Sequence, residues 1–244
     1  MNKLIIAAVS AVLSFGADYV PLANTVRKLK TDKALKVAVI GDSIAYGQMA
    51  TAVSMQGYPY STRVTTNSGG MPTGNPMSFA RITTDYVKYL AKRDYAVDDV
   101  NINTFYSVWG GATAKSSFGY VSDDIIARQP DLVFYEIWND NDETLRYAEN
   151  TLRVLWKTLP NTDVVLISVG GAFSKSSVYQ PLMTKYGIQW INAYSNVQDW
   201  FGQFGVFNSN TYGVVDADGK VSGTRGYLFG NSSPHVNEEG YVWF

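Results

Sequence analysis

The sequence contains no cysteine and only one histidine, His235, among its 244 residues. Disulfide bridges, Cys/His-type zinc sites and catalytic cysteine chemistry are therefore excluded. The many Asp and Asn residues leave an oxygen-ligated metal open, but no calcium-loop spacing is present. We predict no metal and no cofactor.

An excess of charge is also absent. The 20 Lys and Arg residues balance 21 Asp and Glu residues, giving a net charge of −1, and the charges are scattered along the chain. A nucleic-acid partner is not expected, because no basic patch is present to bind phosphates. Hydrophobic residues make up 46% of the chain and charged residues 17%, which indicates a globular protein, and 244 residues are enough for one α/β domain with a buried core.

No apolar run is long enough to cross a bilayer. The longest at the amino terminus, Leu4 to Leu13, follows a short positive region at Met1–Lys3 and precedes Ser14 and Gly16 in a small-x-small pattern. This pattern predicts a signal peptide over residues 1–16 and an extracytoplasmic protein, secreted or periplasmic. Residues 17–244 would then form a single domain. The alternative is that the apolar stretch is itself a buried first strand or helix of the mature domain.

Strand-like and helix-like segments alternate along the chain, which predicts a mainly parallel sheet covered on both faces. The predicted strands are Lys36–Ile40, Val100–Val108, Leu132–Trp138, Val164–Val169 and Ile188–Ala193, and the helices are Phe79–Arg93, Ala112–Gln129, Glu143–Leu159 and Ser177–Tyr186. Residues 44–77 are predicted to be mostly loop. Residues 202–231, rich in Gly, Asn, Ser and aromatics, are predicted to form an insertion loop near the site.

Gly41-Asp42-Ser43 stands directly after the first buried strand. A serine at the carboxyl end of a central parallel strand lies beside the crevice where open α/β sheets bind ligands. A helix amino terminus following it would offer N–H groups to developing negative charge. Ser43 is therefore a candidate nucleophile, with a simple helix-capping role as the alternative.

Other chemistry-bearing residues follow the later strands. Gly111 follows the second strand, Asn139 and Asn141 follow the third, and His235 lies beyond the last. The carboxyl ends of parallel strands share one edge, so these residues can converge. His235 would be the base that activates Ser43, while the N–H groups of Ser43 and Gly111 and an Asn amide would bind an oxyanion.

At these residues the sequence resembles the SGNH, or GDSL-type, hydrolase family. The resemblance lies in four blocks in the family order, Gly41–Gly47, Val108–Thr113, Leu132–Asp142 and Ser232–Gly240. It implies a three-layer αβα sandwich with a mainly parallel, flavodoxin-like five-stranded sheet. It also implies a serine esterase with catalytic Ser43 and His235 and an oxyanion hole of Ser43, Gly111 and either Asn139 or Asn141.

The third block departs from the family pattern. Trp138 stands where the family has glycine, and gapless alignment places Asp140 on the oxyanion asparagine. A carboxylate facing an oxyanion would be repulsive, so Asn139 and Asn141 are preferred and neither is favoured over the other.

The last of the four blocks, Ser232–Gly240, departs at the residue that supports the histidine. Ser232 replaces the aspartate that orients the histidine in the family, and this leaves a Ser–His dyad or a non-standard triad. Ser232 is a possible orienting position, and a carboxylate from elsewhere is the alternative. The candidates for it are Asp216, Asp218 and Glu238.

Aromatic residues make up 14% of the chain, and such rings often line carbohydrate grooves. With the export signal, they favour O-acetyl groups on a polysaccharide as the substrate. The family resemblance also allows a lipase, lysophospholipase or thioesterase. A different class of function is a non-catalytic glycan-binding module on the same scaffold, such as an adhesin or virion surface protein. The sequence predicts no oligomeric state.

Overall fold

The computed structural model describes residues 22–42, 45, 64–66, 79–108, 111–137, 142–168, 181–182, 184–192, 213–215 and 221–224. Its strands are β1 (Ala34–Gly41), β2 (Val64–Thr66), β3 (Asn101–Val108), β4 (Leu132–Ile137), β5 (Asp163–Ser168), β6 (Gln189–Asn192), β7 (Gly213–Val215) and β8 (Val221–Thr224). Its helices are α1 (Ala23–Thr31), α2 (Phe79–Tyr95), α3 (Ala114–Asp124) and α4 (Asp142–Thr158). A 3₁₀ turn spans Ile126–Arg128, and residues 181–182 and 184–186 are helical.

The main sheet has the strand order β2-β3-β1-β4-β5-β6. Five strands are parallel, and only the short edge strand β2 runs antiparallel, against β3. Counting the parallel strands alone, the order is 2-1-3-4-5, the flavodoxin-like order. The predicted α/β fold with a mainly parallel five-stranded sheet is therefore confirmed.

The sheet carries a separate apolar core on each face, because alternate residues of each strand point to opposite sides. On one face Val37, Val39 and Phe134 pack with Leu29 of α1 and Ala91 of α2. The opposite face contains Ala38, Ile40, Val133, Tyr135 and Leu166, packed against Val121 of α3 and Leu152 and Leu155 of α4. These cores separate the three layers of the αβα sandwich.

The helix α4 shows why the sequence pattern predicted this element well. Ala148, Leu152 and Leu155 recur at helical spacing and are all fully buried. Near the end of the helix, the Trp156 indole N–H donates to the Thr162 carbonyl at 2.8 Å. This bond ties the last turn of the helix to the residue that directly precedes β5.

At the amino edge of the sheet, α1 is bound by residues far along the chain. The N–H of Thr25, in the first turn of α1, donates to Oδ2 of Asp163 at 2.7 Å. Leu22, the residue at the helix start, provides no side-chain cap. The Asp163 carboxylate thus satisfies an N–H group that would otherwise have no partner within the helix.

Three features differ from the sequence-based prediction. The three-residue β2 strand lies within residues 44–77, predicted to be mostly loop, and the β7–β8 hairpin lies within the predicted insertion loop 202–231. In addition, α3 ends at Asp124 and continues only as the 3₁₀ turn, whereas a single helix to Gln129 was expected. Residues 177–180 of the predicted fourth helix lie outside the described residues.

Candidate active site

The ends of β1, β3 and β4 adjoin one another at the carboxyl edge of the sheet. Gly41, the last residue of β1, pairs with Val108, the last residue of β3, and Ile40 pairs with Tyr135 of β4. In this strand order the crevice between β1 and β4 is the switch point where α/β sheets bind ligands. The first two sequence blocks therefore begin at paired residues, Gly41 and Val108, and the third block runs along β4, the other neighbour of β1.

The main chain leaving β1 is held by a carboxyl group on β4. The N–H of Asp42 donates to Oε2 of Glu136 at 2.7 Å, and both residues are buried, with 5% and 3% of their surface exposed. Ser43 directly follows Asp42 in the sequence. The residue that precedes the candidate nucleophile is therefore bonded through its N–H to the neighbouring strand.

Glu136 is an unusual residue for its position. It lies on the same face of β4 as Leu132 and Phe134, which belong to the apolar core. Burial raises the pKa of its carboxyl group well above the usual range, and the nearby negative charge of Asp42 raises that pKa further. Glu136 thus retains its proton to a higher pH than an exposed glutamate does.

Position 41 has no room for a side chain, so it requires glycine. A Cβ atom there would lie 2.5 Å from both Oε2 of Glu136 and Cβ of Ala45, closer than atoms can approach. Ala45 is itself fully buried in the core that α1 and α2 cover. Gly41 therefore allows the Glu136 carboxyl and the turn after β1 to pack together.

Gly111 is the one residue of the predicted site that falls within the described residues. Its φ of +74° lies in the left-handed region, which glycine adopts without strain. It stands three residues beyond Val108 and two before Thr113, the N-cap of α3. The structure therefore places Gly111 at the carboxyl edge, beside a helix amino terminus. Its role as an oxyanion donor stays a prediction.

The start of α3 is fixed by a capping box. The Thr113 side chain accepts from the Ser116 N–H at 3.2 Å, while the Thr113 N–H donates to Ser116 Oγ at 2.9 Å. These reciprocal bonds satisfy two N–H groups at the helix start. They also fix the backbone just after Gly111.

Charged and aromatic side chains join the first turns of α3 and α4 beside this edge. Lys115 Nζ lies 3.0 Å from Oε1 of Glu143 and 5.8 Å from the centre of the Tyr147 ring. Arg146 lies 5.2 Å from the same ring. The two helix starts that follow β3 and β4 are therefore held together.

The remaining predicted site residues lie outside the described residues. They are Ser43, Asn139, Asn141, Ser232 and His235, together with Asp216, Asp218 and Glu238. Their predicted roles stay predictions.

Glu136 was missed by sequence reasoning, because Leu132 to Trp138 was treated as a uniformly apolar strand. The available signal was a lone carboxylate in the run Leu-Val-Phe-Tyr-Glu-Ile, since Glu is rarely buried without a partner. Among the described residues, no group of three or more His, Asp or Glu side chains is arranged to hold a metal ion. Within those same ranges, no helix is long and apolar enough to span a membrane.

Comparison of folds identifies the class of this architecture. The chain superposes on a two-domain esterase (CEX) active on acetylated mannans with a TM-score of 0.60 and 13% sequence identity. The match covers 90% of this chain and 50% of the esterase, so the chain spans about half the length of that protein. Neither the family models nor the curated protein sequences compared with this chain match it.

Two proteins of similar length to this chain also share the fold at low sequence identity. Axe2, an acetylxylan esterase from Geobacillus stearothermophilus, superposes with a TM-score of 0.52 and 16% identity over 86% of this chain and 90% of Axe2. A Parabacteroides merdae protein assigned as a GDSL-like lipase gives 0.50 and 17% over 86% and 91%. The chain therefore has the SGNH, or GDSL-type, hydrolase fold, and the neighbours that share it include carbohydrate esterases.

Proposed function

We propose that this protein is a serine esterase in which Ser43 is the nucleophile and His235 the general base. The observation that carries the proposal is the pairing of Gly41 with Val108 at the carboxyl edge of the sheet. This register brings the strand end before Ser43 next to the strand end before Gly111. A nucleophile and an oxyanion donor are needed at such neighbouring positions.

In the proposed reaction, the Ser43 hydroxyl attacks the ester carbonyl carbon and gives its proton to His235. The carbonyl oxygen becomes an oxyanion, bound by the N–H groups of Ser43 and Gly111 and by the side-chain amide of Asn139 or Asn141. His235 then protonates the departing alcohol, leaving an acyl-serine. Water, deprotonated by His235, hydrolyses this intermediate and releases the acid and free Ser43.

We propose acetyl groups on a polysaccharide as the substrate. Two proteins with this fold are an esterase active on acetylated mannans and an acetylxylan esterase, which supports this substrate class. The export signal predicted at residues 1–16 also supports it, because polysaccharides of this kind lie outside the cytoplasm. An acyl-chain esterase is the nearest alternative, supported by the GDSL-like lipase neighbour.

Hydrolysis of p-nitrophenyl acetate by wild type, Ser43→Ala and His235→Ala tests the reaction. Each substitution should lower kcat by roughly 10³-fold or more. Ser122→Ala, on the exposed side of α3, is the matched control and should leave kcat unchanged. Ser43→Ala with wild-type turnover would refute the nucleophile.

A second assay distinguishes the substrates and the non-catalytic alternative. We expect release of acetate from acetylated xylan or mannan, and p-nitrophenyl acetate hydrolysed faster than p-nitrophenyl decanoate. Preference for decanoate would favour a lipase. The replacement of the expected aspartate by Ser232 favours a binding module as the second candidate function. Glycan binding without hydrolysis of any ester would establish that alternative.

A further inference from the structure

Glu136 is placed where packing alone would favour an apolar side chain. Its neighbours on the same face of the sheet are Phe134 of its own strand and Ile167, its register partner on β5, and both belong to the apolar core. Only 3% of the Glu136 surface is exposed. Burial of a carboxyl among such groups is costly, so its presence requires a compensating interaction.

That interaction is with the main chain at the end of β1. Oε2 of Glu136 accepts the Asp42 N–H at 2.7 Å, and Asp42 is itself buried. The same oxygen lies against Gly41, where no Cβ intervenes, and the Ala45 methyl group fills the adjacent space. Glu136 therefore contacts two consecutive residues at the end of β1, Gly41 and Asp42.

We propose that Glu136 is a positioning residue, which fixes the end of β1 by accepting the Asp42 N–H and so supports the catalytic role proposed for the next residue in the sequence, Ser43. The proposal rests on the proposed function, in which Ser43 is the nucleophile. Displacement of a reacting group by about 1 Å can cost roughly 10²-fold in rate. The bond lies one residue before the reacting group, so its loss reaches the chemistry without touching the substrate.

The protonation of Glu136 is consistent with this role. The Asp42 N–H needs only an acceptor oxygen, and a neutral carboxyl group supplies one without a buried charge. The raised pKa of Glu136 therefore leaves the proposed contact intact. A glutamine has the same shape and also supplies a carbonyl oxygen.

Three substitutions separate the acceptor from the packing. Glu136→Gln keeps the acceptor and should retain kcat for p-nitrophenyl acetate within about threefold. Glu136→Met keeps the length without an acceptor and should lower kcat by about 10²-fold while KM changes less than threefold. Glu136→Asp keeps a carboxyl but withdraws it by one methylene, and should also lower kcat tenfold or more.

A control variant tests whether a loss of stability alone would lower kcat. Thr162→Val removes a buried hydrogen bond of 2.7 Å to the Pro130 carbonyl at the opposite edge of the sheet. It should lower the melting temperature without changing kcat. Wild-type kcat in folded Glu136→Met would overturn the proposal, as would equal losses in the Gln and Met variants. Should the Met variant not fold, the Asp variant decides by the same criteria.

A readout independent of catalysis distinguishes failure of this proposal from failure of the proposed function. Amide hydrogen exchange at Asp42, followed by NMR, should be slow in wild type and Glu136→Gln and at least tenfold faster in the Met or Asp variant. Slow exchange in all variants overturns the positioning role whatever the enzyme hydrolyses. Faster exchange in a protein without esterase activity would support the contact and reject the function.

Discussion

The carboxyl group of Glu136 fills the space in which a side chain at Gly41 would lie. A Cβ atom built at Gly41 meets Oε2 of Glu136 at 2.5 Å. The backbone of β1 and the side chain on β4 are therefore fitted to one another, and each constrains what the other position can hold.

Substitution of Gly41 by alanine should disturb this fit. We expect Gly41→Ala to lower the free energy of unfolding by about 1–3 kcal/mol, because the added methyl group overpacks a buried site. Urea denaturation followed by circular dichroism measures the change. Gly119→Ala is the matched control, since a Cβ at Gly119 meets no atom within 4 Å. In helix α3 the control should stabilise the protein by roughly 0.5–1 kcal/mol. Equal effects of the two substitutions would contradict the fit.

Alanine substitutions at two glycines with positive φ can distinguish the effect of backbone strain from an effect on catalysis. Gly111 has φ +74° and Gly187 has φ +60°, and alanine at either should destabilise the protein by roughly 1–2 kcal/mol. Only Gly111→Ala should lower kcat, by about tenfold or more, since Gly111 is the proposed oxyanion donor. Gly187 precedes β6 at the amino edge, away from the candidate site. A similar loss of kcat in both variants would remove Gly111 from the mechanism.

The stability of the protein should depend on the protonation of Glu136. Its pKa is raised in the folded state, so the folded state holds this proton more tightly than the unfolded chain does. Stability from this group is fully present below the ordinary value of 4.5 and is lost as pH rises through the folded-state pKa. In Glu136→Gln this position carries no ionisable group, so the loss of stability at rising pH is removed. The free energy of unfolding of the variant, relative to wild type, should therefore increase as pH rises above 4.5. Parallel curves for the two proteins between pH 4 and pH 9 would contradict this.

Glu149 should affect stability with the opposite pH dependence. Hydrogen bonds from Lys185, Tyr186 and Arg153 lower the pKa of its carboxyl group to about 2. Its contribution is present above the unfolded value and is lost as pH falls through about 2. Glu149→Gln should cost about 0.5–1 kcal/mol at pH 7, since the partly exposed pairs are screened by solvent, and progressively less in acid.

A more exposed ion pair provides the control for Glu149. Lys92 and Asp98 lie 2.8 Å apart, with most of both side chains exposed. Asp98→Asn should leave the melting temperature unchanged at pH 7. A larger loss from Asp98→Asn than from Glu149→Gln would contradict the assignment of the Glu149 network as the stronger interaction.

The alternation of strands and helices was predictable because it rests on local periodicity. The bounds of β3 and α4 differ from the predicted ones by one residue at each changed end. The β2 strand, Val-Thr-Thr, is too short to show a period, and only its pairing with β3 makes it a strand. Glu136 was missed for a related reason, since its partner lies 94 residues away in sequence.

Helix α1, at the amino edge of the sheet, is another element that depends on a residue distant in the sequence. Its sequence, Ala-Asn-Thr-Val-Arg-Lys-Leu-Lys-Thr, has only Thr25 and Leu29 buried, too few to show an apolar face. Its first turn is completed by Asp163 rather than by a local capping residue. Of the candidate site, the sequence located Gly111 and the strand ends, while the contacts that fix those ends depend on the assembled sheet.

The bond between Thr25 and Asp163 has a consequence for synthesis of the chain. The two residues are 138 positions apart, so α1 leaves the ribosome long before its acceptor is made. Until β5 has emerged and docked beside β4, the amino end of α1 has no carboxylate to bind. The amino end of α1 is therefore completed late in folding, and a nascent chain stopped before residue 163 would lack the acceptor for the Thr25 N–H.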